Sequence, residues 1–282
     1  MSGRTVLITG GSAGIGKATA EGLARLGARL AITGRDRERT ETAARQIRST
    51  GGVRVETFVA DLSSQVEVRR LADEVLNALP NLDVLVNNVG GYWNSRHVTA
   101  DGLERTFALN HLAPFLLTNL LLGRLQEGTQ SRVVTVASNA HRSGSIHFDD
   151  LQGVRSYTGS RAYSQSKLAN VMFSYELARR TATTTVTANA LHPGVVNTTF
   201  GREDPSHVQR VLVPVVRPFL KSPAQGSVTS IHLASDPDGQ QATGLYFANG
   251  KPKRSSNASY DRSAAARLWR VSADLVGLSV GN

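Results

Sequence analysis

The sequence contains no cysteine among its 282 residues. Disulfide bonds, a thiolate nucleophile and cysteine-ligated zinc are therefore excluded. Aromatic residues are few, at 6%, and no uninterrupted apolar run approaches the roughly 20 residues that cross a bilayer. The N-terminus enters a strand-like stretch at once, so we expect a soluble, cytoplasmic protein with no leader, no anchor and no membrane partner.

Acidic residues are outnumbered by basic ones, 22 against 32, which gives a formal net charge of +10. Such a surplus would favour nucleic-acid phosphates if it were clustered. The basic residues are instead scattered among acids, as in RDRERTETAARQIR at 35–48, and only KPKR at 251–254 is a short cluster. We therefore predict a solvated basic surface and no nucleic-acid partner.

Short apolar runs alternate with stretches that have a helical spacing of apolar residues. The runs are TVLITG, RLAITG, VRVETFVA, LDVLVNNVG, SRVVTVAS and TVTANALHPG. This alternation predicts βαβ units and a Rossmann-type, doubly wound α/β fold with a parallel sheet. With 40% hydrophobic residues and no linker or repeat, residues 1–282 are expected to form one domain. Its cofactor half covers about 1–130 and its catalytic and substrate half about 131–282.

Residues 197–221, NTTFGREDPSHVQRVLVPVVRPFLK, form the largest interruption of this rhythm. Their late position predicts a substrate lid. The run VLVPVVRPFL within them indicates an apolar, bulky substrate. The same run is equally suited to a helix that packs on a partner subunit, so a homo-oligomer stays open.

The first apolar run leads directly into TGGSAGIG and then into a helix, which spaces Gly10, Gly14 and Gly16 as G-x-x-x-G-x-G. Glycines allow a tight turn and a close approach of the backbone to a pyrophosphate, and the free N–H groups of the helix N-terminus attract that anion. We predict a dinucleotide site in this turn, which also carries Ile15.

The end of the second run predicts which dinucleotide binds. An acid there would accept hydrogen bonds from the ribose 2′-OH and would repel a 2′-phosphate. Arg35 stands there instead, and its guanidinium matches the geometry of a phosphate. Ser12 adds a hydroxyl donor. The sequence therefore favours NADP(H) over NAD(H) as the cofactor.

Further motifs follow in order along the whole chain: DL at 61–62, NNVG at 87–90, LN at 109–110, VASN at 136–139, YSQSK at 163–167 and HPGVVNT at 192–198. Together with TGGSAGIG they resemble the short-chain dehydrogenase/reductase family. The stretches NHLAPFLLTNLLL and YSQSKLANVMFSYELARR are most similar to its retinol dehydrogenase-like branch. The resemblance implies an oxidoreductase that interconverts a small-molecule ketone or aldehyde with an alcohol.

The resemblance also implies further cofactor contacts. Asp61 and Leu62 are expected beside the adenine, and Asn87 and Gly90 at the end of the fourth strand. The HPGVVNT motif is expected to meet the nicotinamide carboxamide through Thr198, and the cofactor residues of this motif that precede it are Pro193, Gly194 and Val196.

Tyr163 and Lys167 are four residues apart, so on a helix they share a face. Hydride transfer to a carbonyl carbon leaves negative charge on oxygen, which needs a proton donor within hydrogen-bond reach. We predict Tyr163 as this general acid/base, with its pKa lowered from about 10 by Lys167 and by the positive nicotinamide. Ser138 is predicted to orient the substrate oxygen. The resemblance adds that Lys167 holds the nicotinamide ribose and that Asn110 holds a water linking Lys167 to solvent.

Two other functions remain open at this point. NAD-dependent oxidation of an alcohol is disfavoured by Arg35. A non-catalytic Rossmann module that senses a nucleotide would have no need of Ser138, Tyr163 and Lys167. No metal is predicted, because the histidines have no ligand spacing or paired carboxylates; those considered are His111, His141, His147 and His192.

Overall fold

The computed structural model describes residues 1–196, 204, 220–236 and 242–279. The strands are β1 (Thr5–Ile8), β2 (Arg29–Gly34), β3 (Val55–Val59), β4 (Val84–Asn87), β5 (Ser131–Val136), β6 (Val186–His192), β7 (Tyr246–Ala248) and β8 (Lys251–Lys253). They form one sheet in the order β3-β2-β1-β4-β5-β6-β7-β8. The strands from β1 to β7 run parallel, and β8 pairs antiparallel with β7. The predicted doubly wound α/β fold is confirmed.

The helices connect the strands on both faces of the sheet. They are α1 (Gly14–Arg25), α2 (Arg37–Gly51), α3 (Gln65–Ala78), α4 (Arg105–Phe107), α5 (Ala113–Gln126), α6 (Gly159–Arg180), α7 (Pro223–Ser235) and α8 (Arg262–Leu275). A π-helix at Ala108–Leu112 joins α4 to α5, and short 3₁₀ helices lie at Asn139–Ser143 and Asn257–Tyr260.

The core has two layers, one on each face of the sheet. Successive residues of the central strand β1 face opposite sides and so belong to different layers. Leu7 of β1 packs into a cluster with residues of α3, α5, α6 and α8. Its neighbours Val6 and Ile8 pack into a second cluster with residues of α1, α2 and α7. Both sheet faces are therefore buried, which explains why the strand sequences are almost continuously apolar.

The helical stretch from Arg105 to Gln126 is not one continuous α-helix. Glu104 caps α4 by accepting hydrogen bonds from the backbone N–H groups of Thr106 and Phe107 at 2.8 and 2.7 Å. The chain then widens into the π-helix before α5 begins. Single π turns inside helices are frequent at functional sites, and this one contains Asn110.

The same stretch is the one place among the described residues that bears on the expectation about membranes. Arg105–Gln126 is long and apolar enough to cross a bilayer by length and composition, and 78% of its most apolar window is buried inside the fold. Its apolar residues, Phe115 and Leu116 among them, pack in the larger core cluster. This burial is typical of the core helix of a globular domain.

The end of the sheet was not predicted from the sequence. The strands β7 and β8 have three residues each, which is too short for an alternating pattern to be visible. The basic cluster at 251–254 proves to include the outermost strand, β8. Of the predicted lid at 197–221, only residues 204, 220 and 221 lie among the described residues.

Candidate active site

The turn between β1 and α1 packs its glycines too tightly for side chains. Gly10 and Gly14 have positive φ angles of 67° and 54°, which favour glycine. A Cβ on Gly16 would lie 2.3 Å from the carbonyl oxygen of Gly10. Bare backbone and the N-terminus of α1 therefore form a cradle of the kind that a pyrophosphate requires.

A cleft of about 250 Å³ opens beside this turn. Its walls come from the loops that follow β1, β2, β3 and β4, where the chain crosses from one side of β1 to the other. Open parallel sheets bind ligands at such a switch point. The predicted cofactor residues that line the cleft are Gly10, Ser12, Gly14, Ile15, Arg35, Leu62 and Gly90.

The end of β2 carries the residues predicted to select the cofactor. Arg35 is exposed and lines the cleft together with Ser12. A Cβ on Gly34 would lie 3.0 Å from the Ser12 Oγ, so the hydroxyl is held against this strand end. The adjacent acid, Asp36, caps α2 by accepting a hydrogen bond from the Arg39 backbone N–H at 2.8 Å. The described residues that line the cleft include no carboxylate.

Two predicted cofactor residues direct their side chains away from the cleft. Asn87 is buried, and its Nδ2 donates to the Thr118 Oγ1 at 2.9 Å on the α5 side of the sheet. Asp61 accepts hydrogen bonds from the backbone N–H and hydroxyl of Ser63 at 3.0 and 2.8 Å. The DL motif reaches the cleft instead through Leu62, and the NNVG motif reaches it through Asn88. The sequence reasoning missed Asn88.

The loop after β4 meets the π-helix and α6 at Gly90. A Cβ at this position would lie 3.1 Å from the Asn110 Oδ1 and 3.3 Å from the Lys167 Nζ. The Asn110 Oδ1 accepts from the Gly91 N–H at 2.7 Å, and its Nδ2 donates to the Gly91 carbonyl and the Ser166 Oγ at 3.0 Å. Asn110 thus fixes this loop beside Lys167, and its role in holding a water stays a prediction.

Lys167 lies in the interior of the protein, with 3% of its surface exposed. Its Nζ donates to the Val136 carbonyl at 3.1 Å and lies 5.6 Å from the centre of the Tyr163 ring. Burial lowers the pKa of Lys167 to about 8, because apolar surroundings disfavour the ammonium. The lysine is therefore close to the tyrosine, as its spacing predicts.

Tyr163 lies near the start of α6 and hydrogen-bonds with Ser138. Burial raises the pKa of Tyr163 to about 12, and the hydrogen bond with Ser138 lowers it by less. The predicted lowering by Lys167 together with the positive nicotinamide concerns the cofactor-bound protein and stays a prediction. In the chain by itself, desolvation of the phenolate is the larger effect, whereas a positively charged group placed beside the phenol would act in the opposite direction.

Ser138 caps the short 3₁₀ helix that follows β5, and two histidines hold this loop. The Ser138 Oγ accepts from the Ala140 N–H at 3.2 Å. The His192 Nδ1 accepts from the Asn139 N–H at 3.2 Å, and the His141 Nδ1 lies 2.7 Å from the Ser138 carbonyl oxygen. The sequence reasoning rejected both histidines as metal ligands and expected structural or surface roles, without identifying these contacts. Among the described residues, no three His, Asp or Glu side chains are grouped to hold a metal.

Tyr92 is a further residue that the sequence reasoning missed. It lines the cleft, and its ring meets the Tyr163 ring edge-on with 5.6 Å between ring centres. Burial, followed by the charge of Asp204, raises the pKa of Tyr92. Its signal in the sequence is an aromatic residue placed directly after NNVGG. Tyr92 therefore borders Tyr163 on the side of the cleft.

The HPGVVNT motif follows β6 at the same edge of the sheet as the other loops. Gly194 has a φ angle of 92°, and a Cβ there would lie 2.8 Å from the Lys221 Cδ. Val196 pairs with Lys221 through an isolated parallel bridge. Pro193, Gly194 and Val196 do not line the described part of the cleft, and Thr198 lies outside the described residues.

Comparisons with known proteins agree with this geometry. A family model for short chain dehydrogenases matches residues 4–209. Human retinol dehydrogenase 14 is 43% identical over 296 residues, which cover 99% of this chain and 88% of that protein. The crystal structure of an uncharacterised protein from Mycobacterium paratuberculosis is 34% identical with a TM-score of 0.80, and the match covers 100% of this chain and 96% of that one. RhlG from Pseudomonas aeruginosa, solved as an NADP active-site complex, is 26% identical with a TM-score of 0.70, covering 92% and 97%.

Proposed function

Because this chain belongs to the short-chain dehydrogenase family and to its retinol dehydrogenase-like branch, we propose that it is an NADP(H)-dependent oxidoreductase interconverting a ketone or aldehyde with an alcohol. One observation carries the proposal. A buried lysine, a tyrosine with a perturbed pKa and a serine hydroxyl come together at the edge of the cofactor cleft. A module that only senses a nucleotide has no use for such an arrangement.

The hydrogen bond between Ser138 and Tyr163 marks the place of the substrate oxygen. The Ser138 Oγ already accepts from the Ala140 N–H, so its own hydrogen is available for donation. A carbonyl oxygen placed between the two hydroxyls would accept a hydrogen bond from each of them. Ser138 then orients the oxygen, and Tyr163 donates its proton as the oxygen becomes negative.

Lys167 acts on Tyr163 through its charge. Its Nζ lies 5.6 Å from the tyrosine ring centre, in surroundings where a charge acts more strongly than in water. When bound, NADP(H) supplies or takes up the hydride. Lys167 stabilises the phenolate that forms on Tyr163, and Asn110 holds the loop that brings Gly90 to the lysine. A proton can then return to Tyr163 from the direction of Lys167.

Arg35 supports NADP(H) as the cofactor. It lines the cleft beside Ser12, where a 2′-phosphate would gain a charged hydrogen bond and a hydroxyl donor. RhlG, which shares the fold, was solved with NADP. The glycine turn, Leu62 and Gly90 belong to the proposed cofactor half at about 1–130, and Ser138 to Lys167 belong to the proposed catalytic half.

The proposed substrate is apolar and bulky, as the run at 211–220 of the proposed lid indicates. The name of the human relative supports a long apolar alcohol or aldehyde of the retinoid kind. We propose that the reaction takes place in the cytoplasm; the one candidate spanning stretch among the described residues, Arg105–Gln126, is mostly buried in the core. Cell fractionation that places the protein in membranes would contradict this location.

A screen tests the proposed function directly. Retinaldehyde, aromatic ketones, aliphatic aldehydes and the matching alcohols are incubated with the protein and with each of the four cofactor forms, and nicotinamide absorbance is followed. We expect turnover of at least one apolar carbonyl with NADPH, and a lower kcat/KM with NADH. Binding of NADPH without turnover of any compound would favour the nucleotide-sensing alternative.

A further inference from the structure

The 3₁₀ helix after Ser138 is tied to a distant part of the chain by one buried histidine. His141 is 0% exposed. Its Nδ1 lies 2.7 Å from the Ser138 carbonyl oxygen, and its Nε2 accepts from the Ser256 backbone N–H at 3.1 Å. The ring also packs on Tyr246, with 4.7 Å between ring centres. His141 therefore bridges the loop that carries Ser138 and the segment that follows β8.

The two bonds of His141 determine its tautomer. A backbone N–H only donates, so the Nε2 that faces Ser256 carries no proton. A backbone carbonyl only accepts, so the Nδ1 that faces Ser138 carries one. Burial lowers the pKa of His141, as does the nearby Arg142, against the opposing bond to Ser138. The neutral Nδ1–H form is the one that satisfies both partners.

The peptide group between Ser138 and Asn139 is held at both of its polar ends. Its carbonyl accepts from the His141 Nδ1 and, at 3.1 Å, from the His141 backbone N–H. Its N–H donates to the His192 Nδ1. The Ser138 backbone is extended, with φ of −159° and ψ of 158°. Since ψ relates the Ser138 Cα–Cβ bond to the following peptide, holding this peptide plane also holds the direction of the side chain.

We propose that His141 is a positioning residue, whose Nδ1–H aims the Ser138 hydroxyl at the substrate oxygen by fixing the adjoining peptide, while the Ser256 N–H at Nε2 sets the tautomer. This role rests on the proposed function of Ser138. His141 does not touch the reacting atoms, so it acts through Ser138. A loosened peptide would leave Ser138 in place but reduce the fraction of time that its hydroxyl points towards the oxygen.

Two conservative substitutions separate the two bonds of His141. The amide nitrogen of Asn occupies the place of Nδ1, so His141→Asn keeps the bond to the Ser138 carbonyl and loses the bond to Ser256. The amide oxygen of Gln reaches the place of Nε2, so His141→Gln keeps the bond to Ser256 and loses the side-chain bond to Ser138. Arg142→Gln is the matched control, because Arg142 ties the same helix to the Arg254 carbonyl without contacting the Ser138 carbonyl.

The kinetic test compares kcat and the KM for NADPH in the three variants. We expect His141→Gln to lower kcat by about tenfold, the effect of one hydrogen bond lost in the transition state. His141→Asn and Arg142→Gln are expected to stay within about threefold of the parent, and all three should bind NADPH normally. Equal losses of kcat in the two His141 variants, or a loss of the same size in Arg142→Gln, would overturn the positioning role.

A spectroscopic test does not depend on activity. The ¹⁵N spectra of the parent and His141→Gln identify the His141 signals, and we expect a protonated Nδ1 with an unprotonated Nε2 near neutral pH. A protonated Nε2 would overturn the inference even in an active enzyme. A parent protein that reduces no carbonyl compound would overturn the proposed function, and the positioning role with it, while leaving the tautomer measurement valid.

Discussion

The glycine turn and the pocket formed by Ser138, Tyr163 and Lys167 lie at the same edge of the sheet, but the turn is made of backbone and the pocket of side chains. The turn is backbone, and a single Cβ at Gly16 would lie 2.3 Å from a carbonyl oxygen. The pocket is made of buried polar side chains, and burial disfavours the charged form of both Lys167 and Tyr163. The turn therefore requires glycine, which lacks the Cβ that would clash. The pocket instead contains Lys167 and Tyr163, whose charged forms destabilise the folded protein.

This difference predicts that substitutions will divide by region. Changes in the turn should alter cofactor affinity or the free energy of unfolding, because the turn supplies shape. Changes in the pocket should lower turnover far more than cofactor affinity, because we propose that the pocket supplies proton transfer. Four substitutions, in the pocket, in the turn and at Arg35 beside the turn, test this division in order of decreasing expected effect.

Tyr163→Phe should give the largest effect. It keeps the ring and its packing against Tyr92 and removes the phenol, so turnover should fall by roughly 10² to 10⁴-fold, as for the loss of a general acid. NADPH affinity should stay unchanged in a binding titration. Tyr175→Phe is the control on the same helix, because Tyr175 is buried and hydrogen-bonds to Ser255. If both variants turn over at the parent rate, Tyr163 is not the proton donor.

Arg35→Asp should lower NADPH affinity by about 10 to 100-fold, because a charged hydrogen bond is replaced by repulsion from the 2′-phosphate. NADH affinity should change far less, since NADH has a hydroxyl at that position. Arg37→Asp makes the same change of charge at the exposed start of α2 and serves as the control. Binding titrations with NADPH and with NADH measure both affinities. Equal NADPH affinity in the parent and in Arg35→Asp would contradict the proposed contact between Arg35 and the 2′-phosphate.

Gly16→Ala should destabilise the turn by about 1 to 3 kcal/mol, the usual effect of forcing atoms into a packed site. Gly123→Ala is the matched control, because it also lies in a helix and a Cβ there meets no atom within 4 Å. That control should stabilise the protein by about 0.5 to 1 kcal/mol. Urea unfolding of both variants measures the difference, and equal shifts in the two would show that the turn has room for a side chain.

The smallest expected effect is the change in stability of Lys167→Met, which should raise the free energy of unfolding by about 1 kcal/mol at neutral pH. The folded protein holds this proton with a pKa of about 8, below the ordinary 10.5. The burial of the charged lysine therefore destabilises the folded protein fully below about pH 8, and this destabilisation disappears as pH rises to 10.5.

The stability difference between Lys167→Met and the parent should accordingly shrink as pH rises from about 8 to about 10.5. Thermal melts of both proteins across this range measure it, and titrations of other groups cancel in the difference. A difference that grows with pH, or a variant that is less stable throughout, would show that the bond of Lys167 to Val136 outweighs its desolvation.

The glycine turn and six of the strands could be predicted from the sequence, because glycine spacing and apolar runs are local signals. Asn110 was reached only through family resemblance, since its contact with Ser166 spans 56 positions. The raised pKa of Tyr163 in the chain by itself was not predicted, because burial is set by the packing of the whole domain. The role of His141 was missed because its partner Ser256 lies 115 positions away. Contacts between distant segments leave no pattern in a single sequence.

The outer edge of the sheet has a consequence for the behaviour of the protein at high concentration. All three residues of β8 are exposed. An exposed edge strand normally invites a strand from another molecule to pair with it. Pro252 has no backbone N–H to offer such a strand, and the charges of Lys251 and Lys253 repel a second copy of the same edge. The basic cluster thus disfavours pairing of a strand from another molecule with β8, and with it aggregation through this edge.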